Sequence, residues 1–385
     1  MGPSQQQVAE KPLNTSAKPW YKKPAILAIA GAALVAVILI IALPSALVTK
    51  HHKSGSSSES SGDSNPAGSS ASPKPAPGTG TGPSAPVATG SGCGKTHDTG
   101  FSDNWDNHNL QSGGLTRNYS IYIPEAYNNS NTTPWPLILD FHGFERTGAN
   151  QYNNSRYYNY TEGQQYLAVY PNGYNGRWYG APYAQKDNDG DLQFVTDLVS
   201  HLNDTYCLDS NRMYISGKSN GGGFANALAC SDHGDAFAAY AMASPALYTD
   251  NSESSCNKSR AILESHGAKD DTILYNGSGS GSSETPSIPE WTQWWAERNG
   301  CSASDGPMTS QEKGYNTTAY SCNGFKNITE QYTVIDLGHC WPCSDGENFD
   351  VQNYGSKKCA DNSLDFTPVA LDWFGRWTKA NGPQN

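Results

Sequence analysis

The sequence predicts an α/β fold, with a mostly parallel, twisted sheet and helices on both faces. Two observations predict this class. Short apolar runs typical of buried parallel strands alternate with segments of helical periodicity, and one run leads into a glycine-rich turn followed by an Ala-rich helical segment. One helix is predicted over 192–202, where apolar residues recur at helical spacing. The predicted strands are 119–123, 137–141, 167–170, 213–215, 261–265 and 332–336.

The N-terminal part of the chain differs in composition from this region. Residues 1–23 are polar with four lysines, which predicts a cytoplasmic tail. Residues 24–49 carry no charge and can cross a bilayer core of about 30 Å, which predicts an uncleaved transmembrane signal anchor. A cleaved signal peptide is the alternative, although its apolar core is usually only about 7–15 residues long. Residues 50–92 are rich in Ser, Gly and Pro and are predicted to form a disordered stalk.

Residues 93–385 are predicted to form one catalytic domain outside the cytoplasm. The protein is then an anchored membrane protein, or a secreted one if the anchor is cleaved. This region contains all nine cysteines and ten Asn-X-Ser/Thr sequons, which indicates an oxidising, glycosylating compartment. Proximity along the chain predicts the disulfides Cys230–Cys256 and Cys301–Cys322, and the odd count leaves at least one thiol without an intrachain partner. The whole chain has a net charge of −11 and no basic block outside the flanks of the predicted anchor, which argues against nucleic acid as a partner.

The most specific motif is the heptapeptide at 217–223, Gly-Lys-Ser-Asn-Gly-Gly-Gly. Its first five residues fit G-x-S-x-G, and it lies between a predicted strand and a predicted helix, as in the nucleophile elbow of α/β hydrolases. Glycines are needed there because the turn is too sharp for larger side chains. A flexible glycine loop is the alternative in a chain this rich in Gly and Ser. The strand–turn–helix context favours Ser219 as a nucleophile.

In such a fold the acid and then the histidine follow the nucleophile along the chain. His233 lies in a polar loop and is expected to be solvated. His266 follows a predicted strand and is expected to mark the turn that delivers the acid. His339 follows the last predicted strand and is therefore the expected general base. Asp270 or Asp271 then orients its imidazole.

An oxyanion hole requires two N–H donors. The residue after the nucleophile, Asn220, is expected to supply one backbone donor. The second is expected from Gly143 or Phe144, in the loop after the strand 137–141. This chemistry requires no metal ion and no organic cofactor.

The run Cys340-Trp341-Pro342-Cys343 beside His339 permits other interpretations. A redox pair would need a helix N-terminus to stabilise its thiolate, and this run has the composition of a loop. A zinc site would need a second pair of ligands nearby, and residues 93–385 contain no second C-x-x-C and no paired histidine. Structural disulfides that hold the histidine loop are the favoured interpretation.

A set of short segments along 93–381 is more specific than the elbow alone. The segments are 93–95, 136–143, 169–173 with Trp178, 191–195, 207–214, 217–223, 228–230, 266–270 and 338–342. Together they resemble the secreted feruloyl esterases and polyhydroxybutyrate depolymerases of the α/β-hydrolase fold, especially fungal feruloyl esterases that begin with a Cys-Gly-Lys segment. The resemblance implies Asp270, four residues after the motif histidine, as the acid of a Ser219–Asp270–His339 triad.

The resemblance implies a serine carboxylic-ester hydrolase without a cofactor. Its expected substrates are hydroxycinnamoyl esters on plant cell-wall polysaccharide, or small aromatic esters. Tyr174, Trp178 and Trp341 lie near predicted strand ends and are expected to stack on a ring or a sugar, with core packing as the alternative. Rival interpretations are a polyhydroxybutyrate depolymerase, an acetylxylan esterase, and a catalytically silent surface adhesin.

Overall fold

A computed structural model describes residues 90–184, 186–248, 256–279, 283–359 and 363–383. The predicted tail, the predicted anchor and nearly all of the predicted stalk lie outside these ranges. Within them, no helix combines the length and the apolar character needed to cross a membrane.

The described strands form one mixed sheet. Its order is β1-β3-β5-β4-β6-β7-β8-β11-β10-β9, with β2 paired to β3. The six strands from β5 to β11 in this order are parallel, and antiparallel strands extend both edges. The strands are β1 Gly100–Ser102, β2 Asn109–Ser112, β3 Leu115–Ile123, β4 Trp135–Phe141, β5 Leu167–Pro171, β6 Leu208–Lys218, β7 Ala239–Ala243, β8 Ile262–Gly267, β9 Met308–Glu312, β10 Tyr315–Cys322 and β11 Phe325–Val334.

Helices cover both faces of this sheet, as predicted. On one face of the sheet, an apolar cluster joins helix residues such as Phe194, Phe224 and Trp291 to β4 and β6. The cluster on the other face contains Phe366 and Phe374. Successive strand side chains point to opposite faces, so each parallel strand contributes to both apolar clusters. The α-helices are α1 Gly148–Ser155, α2 Asp191–Thr205, α3 Asn220–Ala229, α4 Ile288–Arg298, α5 Phe349–Tyr354, α6 Ser356–Cys359 and α7 Phe366–Arg376.

The six predicted strands each coincide at least in part with an observed strand, and the predicted helix is present, whereas five strands were missed: β1, β2, β7, β9 and β10. Strand β7 reads Ala-Tyr-Ala-Met-Ala, a composition of low β-propensity. Its alanines are buried in the cluster that contains Trp373 and Phe374 of α7, because small side chains allow that helix to pack closely. The other missed strands lie at the sheet edges. Strands β1 and β2 pair with β3 at one edge, β10 and β9 extend the other, and every residue of β9 is exposed.

Four disulfides stabilise the described region. Both predicted pairs, Cys230–Cys256 and Cys301–Cys322, are formed. Cys93–Cys207 joins residues that are 114 positions apart, a pairing that proximity along the chain could not predict. Cys340–Cys359 ties the loop after β11 to α6, and Cys343 is left as a buried free thiol.

Candidate active site

The candidate nucleophile lies in a strained turn between β6 and α3. Ser219 has φ 56° and ψ −120°, a conformation that L-residues rarely adopt. A Cβ on Gly217 would lie 2.5 Å from the carbonyl oxygen of Gly221, and one on Gly221 would lie 2.1 Å from that of Phe141. Side chains at these glycines would therefore clash with backbone, which explains the glycines of the elbow motif.

The structure brings the three predicted triad residues together. The Nε2 atom of His339 lies 2.8 Å from Ser219 Oγ, and its Nδ1 atom lies 2.7 Å from Asp270 Oδ2. These contacts assign the proton to Nδ1, which donates to Asp270, and leave Nε2 to accept the serine proton. The residues follow β6, β8 and β11, whose carboxyl ends meet at one edge of the parallel sheet.

The structure also distinguishes the two candidate acids. Asp270 is buried, and its Oδ1 atom accepts hydrogen bonds from the backbone N–H groups of Thr272 and Ile273 at 2.9 and 2.8 Å. Asp271 is exposed and pairs with Lys358 instead. Burial alone would raise the pKa of Asp270, but hydrogen bonds with His266 and His339 hold it well below its usual value. Asp270 is therefore ionised and held in place.

The candidate base is neutral near physiological pH. Burial lowers the pKa of His339 below 6.5, and the positive charge of Lys218 lowers it further, whereas Asp270 and Asp350 act in the opposite direction. Lys218 is itself buried, with its Nζ atom 3.5 Å from Asp350. A neutral imidazole can accept the proton of Ser219, as general-base catalysis requires.

His266 does more than mark the turn before Asp270. Its Nε2 atom lies 3.3 Å from Asp270 Oδ2, and its Nδ1 atom lies 2.9 Å from Oε1 of the buried Glu264. Burial lowers the pKa of His266, but hydrogen bonds to these two carboxyl groups outweigh it and raise the pKa to about 10. Sequence reasoning missed this contact. The i, i+4 spacing of His266 and Asp270 was its only signal.

The predicted oxyanion loop borders the nucleophile. The backbone of Gly143 is so close that a Cβ there would lie 3.5 Å from Ser219 Cβ. The carbonyl of His142 accepts from Trp178 Nε1 at 3.1 Å, and the carbonyl of Gly143 lies 2.7 Å from His142 Nδ1. A trans peptide directs its N–H opposite to its carbonyl. The N–H groups of Gly143 and Phe144 therefore point away from these buried contacts.

The imidazole of His142 is neutral, so it can support the loop that carries Gly143 and Phe144 with one donated and one accepted hydrogen bond. Its Nε2 atom accepts from the backbone N–H of Gly173 at 3.0 Å, so the ring proton is on Nδ1 and is donated to the Gly143 carbonyl. Burial lowers the pKa of His142 to about 4. The loop that carries Gly143 and Phe144 is thus held by uncharged hydrogen bonds.

Asn220, predicted to supply the other donor, is the first residue of α3. The first N–H groups of a helix have no acceptor within the helix, so its backbone N–H is available to a bound oxyanion. Its side chain is engaged elsewhere, because Oδ1 accepts from the backbone N–H of Trp178 at 2.9 Å.

The prediction that Trp178 and Trp341 stack on substrate is wrong. Both are fully buried. Trp178 packs on Phe224 beneath the elbow, and Trp341 donates from Nε1 to Thr367 at 3.0 Å. Tyr174, in a short 3-10 turn, is half-buried and is not among the residues that line the cavity at Ser219. The tryptophans are instead the core beneath the reactive loops.

Other aromatic side chains line the cavity that opens at Ser219. This cavity has a volume of about 330 Å³. Phe144 lies on the oxyanion loop, while Phe349 and Tyr354 belong to α5. Phe144 and Tyr354 are 37% and 40% exposed, so their rings are accessible to a bound molecule. Sequence reasoning did not assign α5 to the site, because it follows β11 by a long loop with no local signal of function.

The fold and the arrangement of Ser219, His339 and Asp270 define the α/β-hydrolase class. The Prolyl oligopeptidase family model matches residues 152–273, a segment that includes Ser219 and Asp270 but covers less than half of the chain. Outside residues 152–273, the sequence similarity to known proteins comes from individual relatives.

Curated relatives of the chain are esterases. A bifunctional acetylxylan esterase/xylanase of Neocallimastix patriciarum is 29% identical over 42% of this chain and 22% of its own. Feruloyl esterase D of Neurospora crassa is 27% identical over 38% of this chain and 51% of its own. A probable feruloyl esterase C of Aspergillus niger is 25% identical over 62% and 79%. The matches to the first two relatives cover about a fifth and about half of their lengths. The resemblance to feruloyl esterases is confirmed.

Proposed function

We propose that this protein is a serine carboxylic-ester hydrolase that releases hydroxycinnamoyl groups from plant cell-wall polysaccharide. The observation that carries the proposal is the continuous hydrogen-bonded line from Asp270 through His339 to Ser219, with contacts of 2.7 and 2.8 Å. That line ends in a cavity bordered by oxyanion donors, which is the arrangement that acyl transfer requires.

In the proposed mechanism His339 accepts the proton of Ser219 as the serine oxygen attacks the ester carbonyl. The backbone N–H of Asn220 and one from the 143–144 loop stabilise the tetrahedral oxyanion. His339 then protonates the departing alcohol, and the acyl group remains on Ser219. In the second step His339 deprotonates a water molecule that attacks the acyl carbonyl, and it then returns the proton to Ser219 Oγ as the acid is released. Asp270 stabilises the imidazolium in both steps without accepting its proton.

The aromatic lining of the cavity supports a hydroxycinnamoyl acyl group. Phe144, Phe349 and Tyr354 offer apolar faces beside the nucleophile, and aromatic pairs contribute about 0.5–1.5 kcal/mol beyond their buried area. The names of the Neurospora and Aspergillus relatives agree with this choice. An acetyl group would leave these faces uncovered.

An acetylxylan esterase is the second candidate, because one relative carries that activity in its name. The two candidates differ in the acyl group and share the polysaccharide. Both hydrolyse an ester through the same triad, so only a comparison of substrates distinguishes them.

The proposed test is a substrate panel with the full-length chain. Methyl ferulate, acetylated xylan and polyhydroxybutyrate are compared, with Ser219→Ala as the inactive control. We expect kcat/KM to be highest for methyl ferulate. No turnover of methyl ferulate together with release of acetate from xylan would assign the second candidate.

The location outside the cytoplasm is also a proposal. Four disulfides and the placement of the sequons support it, since none of the ten sequon asparagines between 118 and 327 is buried. Sequencing the N-terminus of the mature protein distinguishes an anchored from a secreted form.

A further inference from the structure

Arg146 lines the cavity at Ser219 and has no carboxylate partner among the residues that the structure describes. The cavity lining contains three carboxylates, and each has another cation as its partner. Glu145 lies 3.2 Å from Arg177, Asp350 lies 3.5 Å from Lys218, and Asp271 lies 2.5 Å from Lys358. Among the residues that the structure describes, no carboxylate lies within 4 Å of Arg146. Arg146 is therefore the one Arg or Lys of the lining that has no carboxylate partner among the described residues.

The guanidinium of Arg146 is held in place by uncharged groups. Its carbon lies 5.7 Å from the ring centre of Phe349 and 5.8 Å from that of Tyr354, both on α5. Nη2 donates to the hydroxyl of Tyr354 at 2.9 Å, and Nη1 donates to the carbonyl of Glu145 at 3.2 Å. These contacts orient the group without neutralising it.

The remaining donors of Arg146 match a carboxylate. Each terminal nitrogen carries two N–H groups, of which the described contacts use one. Nη1 and Nη2 therefore each keep one N–H group, so each terminal nitrogen can donate to one oxygen of a bound carboxylate. The Nε atom is buried and has no partner in the described structure, so the terminal nitrogens are the accessible ones.

Arg146 is also coupled to the reactive centre. Its backbone N–H donates to the carbonyl of Gly143 at 3.2 Å, in the loop beside Ser219. Tyr354, which accepts from its guanidinium, has its ring centre 5.3 Å from the Nζ atom of Lys218, the residue that precedes the nucleophile. Arg146 and Ser219 line the same cavity.

We infer that this cavity contains a carboxylate-binding subsite centred on Arg146, so that the preferred ester substrates carry a carboxylate near the scissile bond. The inference rests on the proposed esterase function and narrows its substrate class. The carboxylate belongs either to the acyl group or to a uronic acid substituent on the polysaccharide. Both sources present the same planar anion to the guanidinium.

The test compares matched charged and neutral esters with the full-length chain. For the acyl side, methyl 4-carboxycinnamate is compared with methyl 4-methylcinnamate. For the polysaccharide side, feruloylated oligosaccharides with uronic acid substituents are compared with the same material after the carboxyl groups are reduced to alcohols. We expect the charged member of one pair to have a kcat/KM about tenfold higher or more, since hydrogen bonds to charged groups have effects of that size. The pair that shows the preference identifies the source.

Variants assign the preference to Arg146. Arg146→Met keeps the length and apolar body of the side chain, and we expect it to abolish the preference for the charged ester. Arg146→Lys keeps the charge but loses the parallel donors, and should retain only part of it. Arg212→Met is the matched control, because Arg212 pairs with Asp209 in the N-terminal half of β6 and does not line the cavity. It should retain the preference.

Equal kcat/KM within both pairs, or a preference that survives Arg146→Met, would overturn the subsite. Failure of the proposed function is a different result, in which the wild type hydrolyses no ester of either pair. Calorimetric binding of methyl 4-carboxycinnamate to Ser219→Ala then still decides the question. If adding Arg146→Met to the Ser219→Ala variant weakens this binding by about tenfold, the result supports the subsite. Equal binding by the single and the double variant contradicts it.

Discussion

The imidazole of His266 contacts the same carboxylate oxygen of Asp270 that accepts from the candidate base His339. The two distances to Asp270 Oδ2 are 3.3 Å and 2.7 Å. His266 also reaches Glu264 and the carbonyl of Ile273, so its ring cannot rotate without breaking buried hydrogen bonds. The orientation of the triad acid thus depends on a second, charged histidine.

Replacing His266 is expected to slow the reaction and shift its pH profile. His266→Ala removes a positive charge beside Asp270, so the carboxylate acts more strongly on His339 and raises its pKa. Because activity requires neutral His339, the acid limb of kcat/KM should move to higher pH. The loosened acid should lower kcat by about 10- to 100-fold. Measurement of kcat/KM between pH 4 and 9 checks both effects.

His266→Gln is the control for this variant. Its amide can donate to Asp270, so kcat should recover in part, while the pH profile stays shifted because the amide is neutral. A variant that unfolds more easily but keeps the wild-type kcat and pH profile would show that His266 has a purely structural role.

Ser219→Ala tests the nucleophile directly. The wild type should be labelled by a fluorophosphonate probe, and the variant should not, because the probe reacts with an activated serine. Turnover should fall by about 10⁴-fold or more. Thermal unfolding of the variant should show that it remains folded. A folded wild type that resists labelling would favour the adhesin interpretation.

Lys218→Met tests the electrostatic setting of His339. Loss of this buried cation, together with the uncompensated charge left on Asp350, should raise the pKa of His339. The acid limb of the pH profile is then expected at higher pH than in the wild type. Lys269→Met is the matched control, because that lysine is exposed and pairs with an exposed Asp336. An unchanged limb in Lys218→Met would contradict the assignment.

The disulfide next to His339 should affect activity as well as stability. A double serine variant of Cys340 and Cys359 removes a bond that closes a span of 19 residues, with an expected cost of about 3 kcal/mol in the free energy of unfolding. Probe labelling should slow, because the loop that carries His339 is released. Denaturant unfolding and labelling rates measure the two effects.

A second disulfide provides the comparison. Cys301–Cys322 closes a similar span of 21 residues, from the loop after α4 to the end of β10. Its double serine variant should lose similar stability and label at the wild-type rate. Equal labelling by both variants would mean that Cys340–Cys359 does not position His339.

The sequence was most informative where a motif makes a local demand on the backbone. The glycines at 217 and 221 are required by contacts within a few residues or with the adjacent strand, so the elbow was recognisable from its spacing. The order of nucleophile, acid and histidine also follows from topology, because parallel strands place their carboxyl ends together. The choice of Asp270 over Asp271 came from the family resemblance, and the structure shows its reason in burial.

Residues whose role depends on side-chain direction were assigned less well. Trp178 and Trp341 lie near strand ends in the sequence, yet both point into the core. The aromatic residues that do line the cavity include Phe349 and Tyr354, from a helix far along the chain. Spacing along the sequence does not determine whether an aromatic ring points into the core or into the cavity, because that direction depends on packing partners far along the chain.

The sequence by itself thus determined the strained serine turn and the alternation of strands and helices, which follow from local sterics and hydrophobic periodicity, and the order of the catalytic groups, which follows from the topology of the parallel sheet. Only the tertiary structure decided which carboxylate His339 contacts, that His266 supports that carboxylate, and that Arg146 faces the cavity without a carboxylate partner among the described residues. Each of these facts depends on the distance between side chains that are carried by different strands, helices or loops. They are set by how the loops pack at the carboxyl edge of the sheet, and no short segment of the chain contains that information.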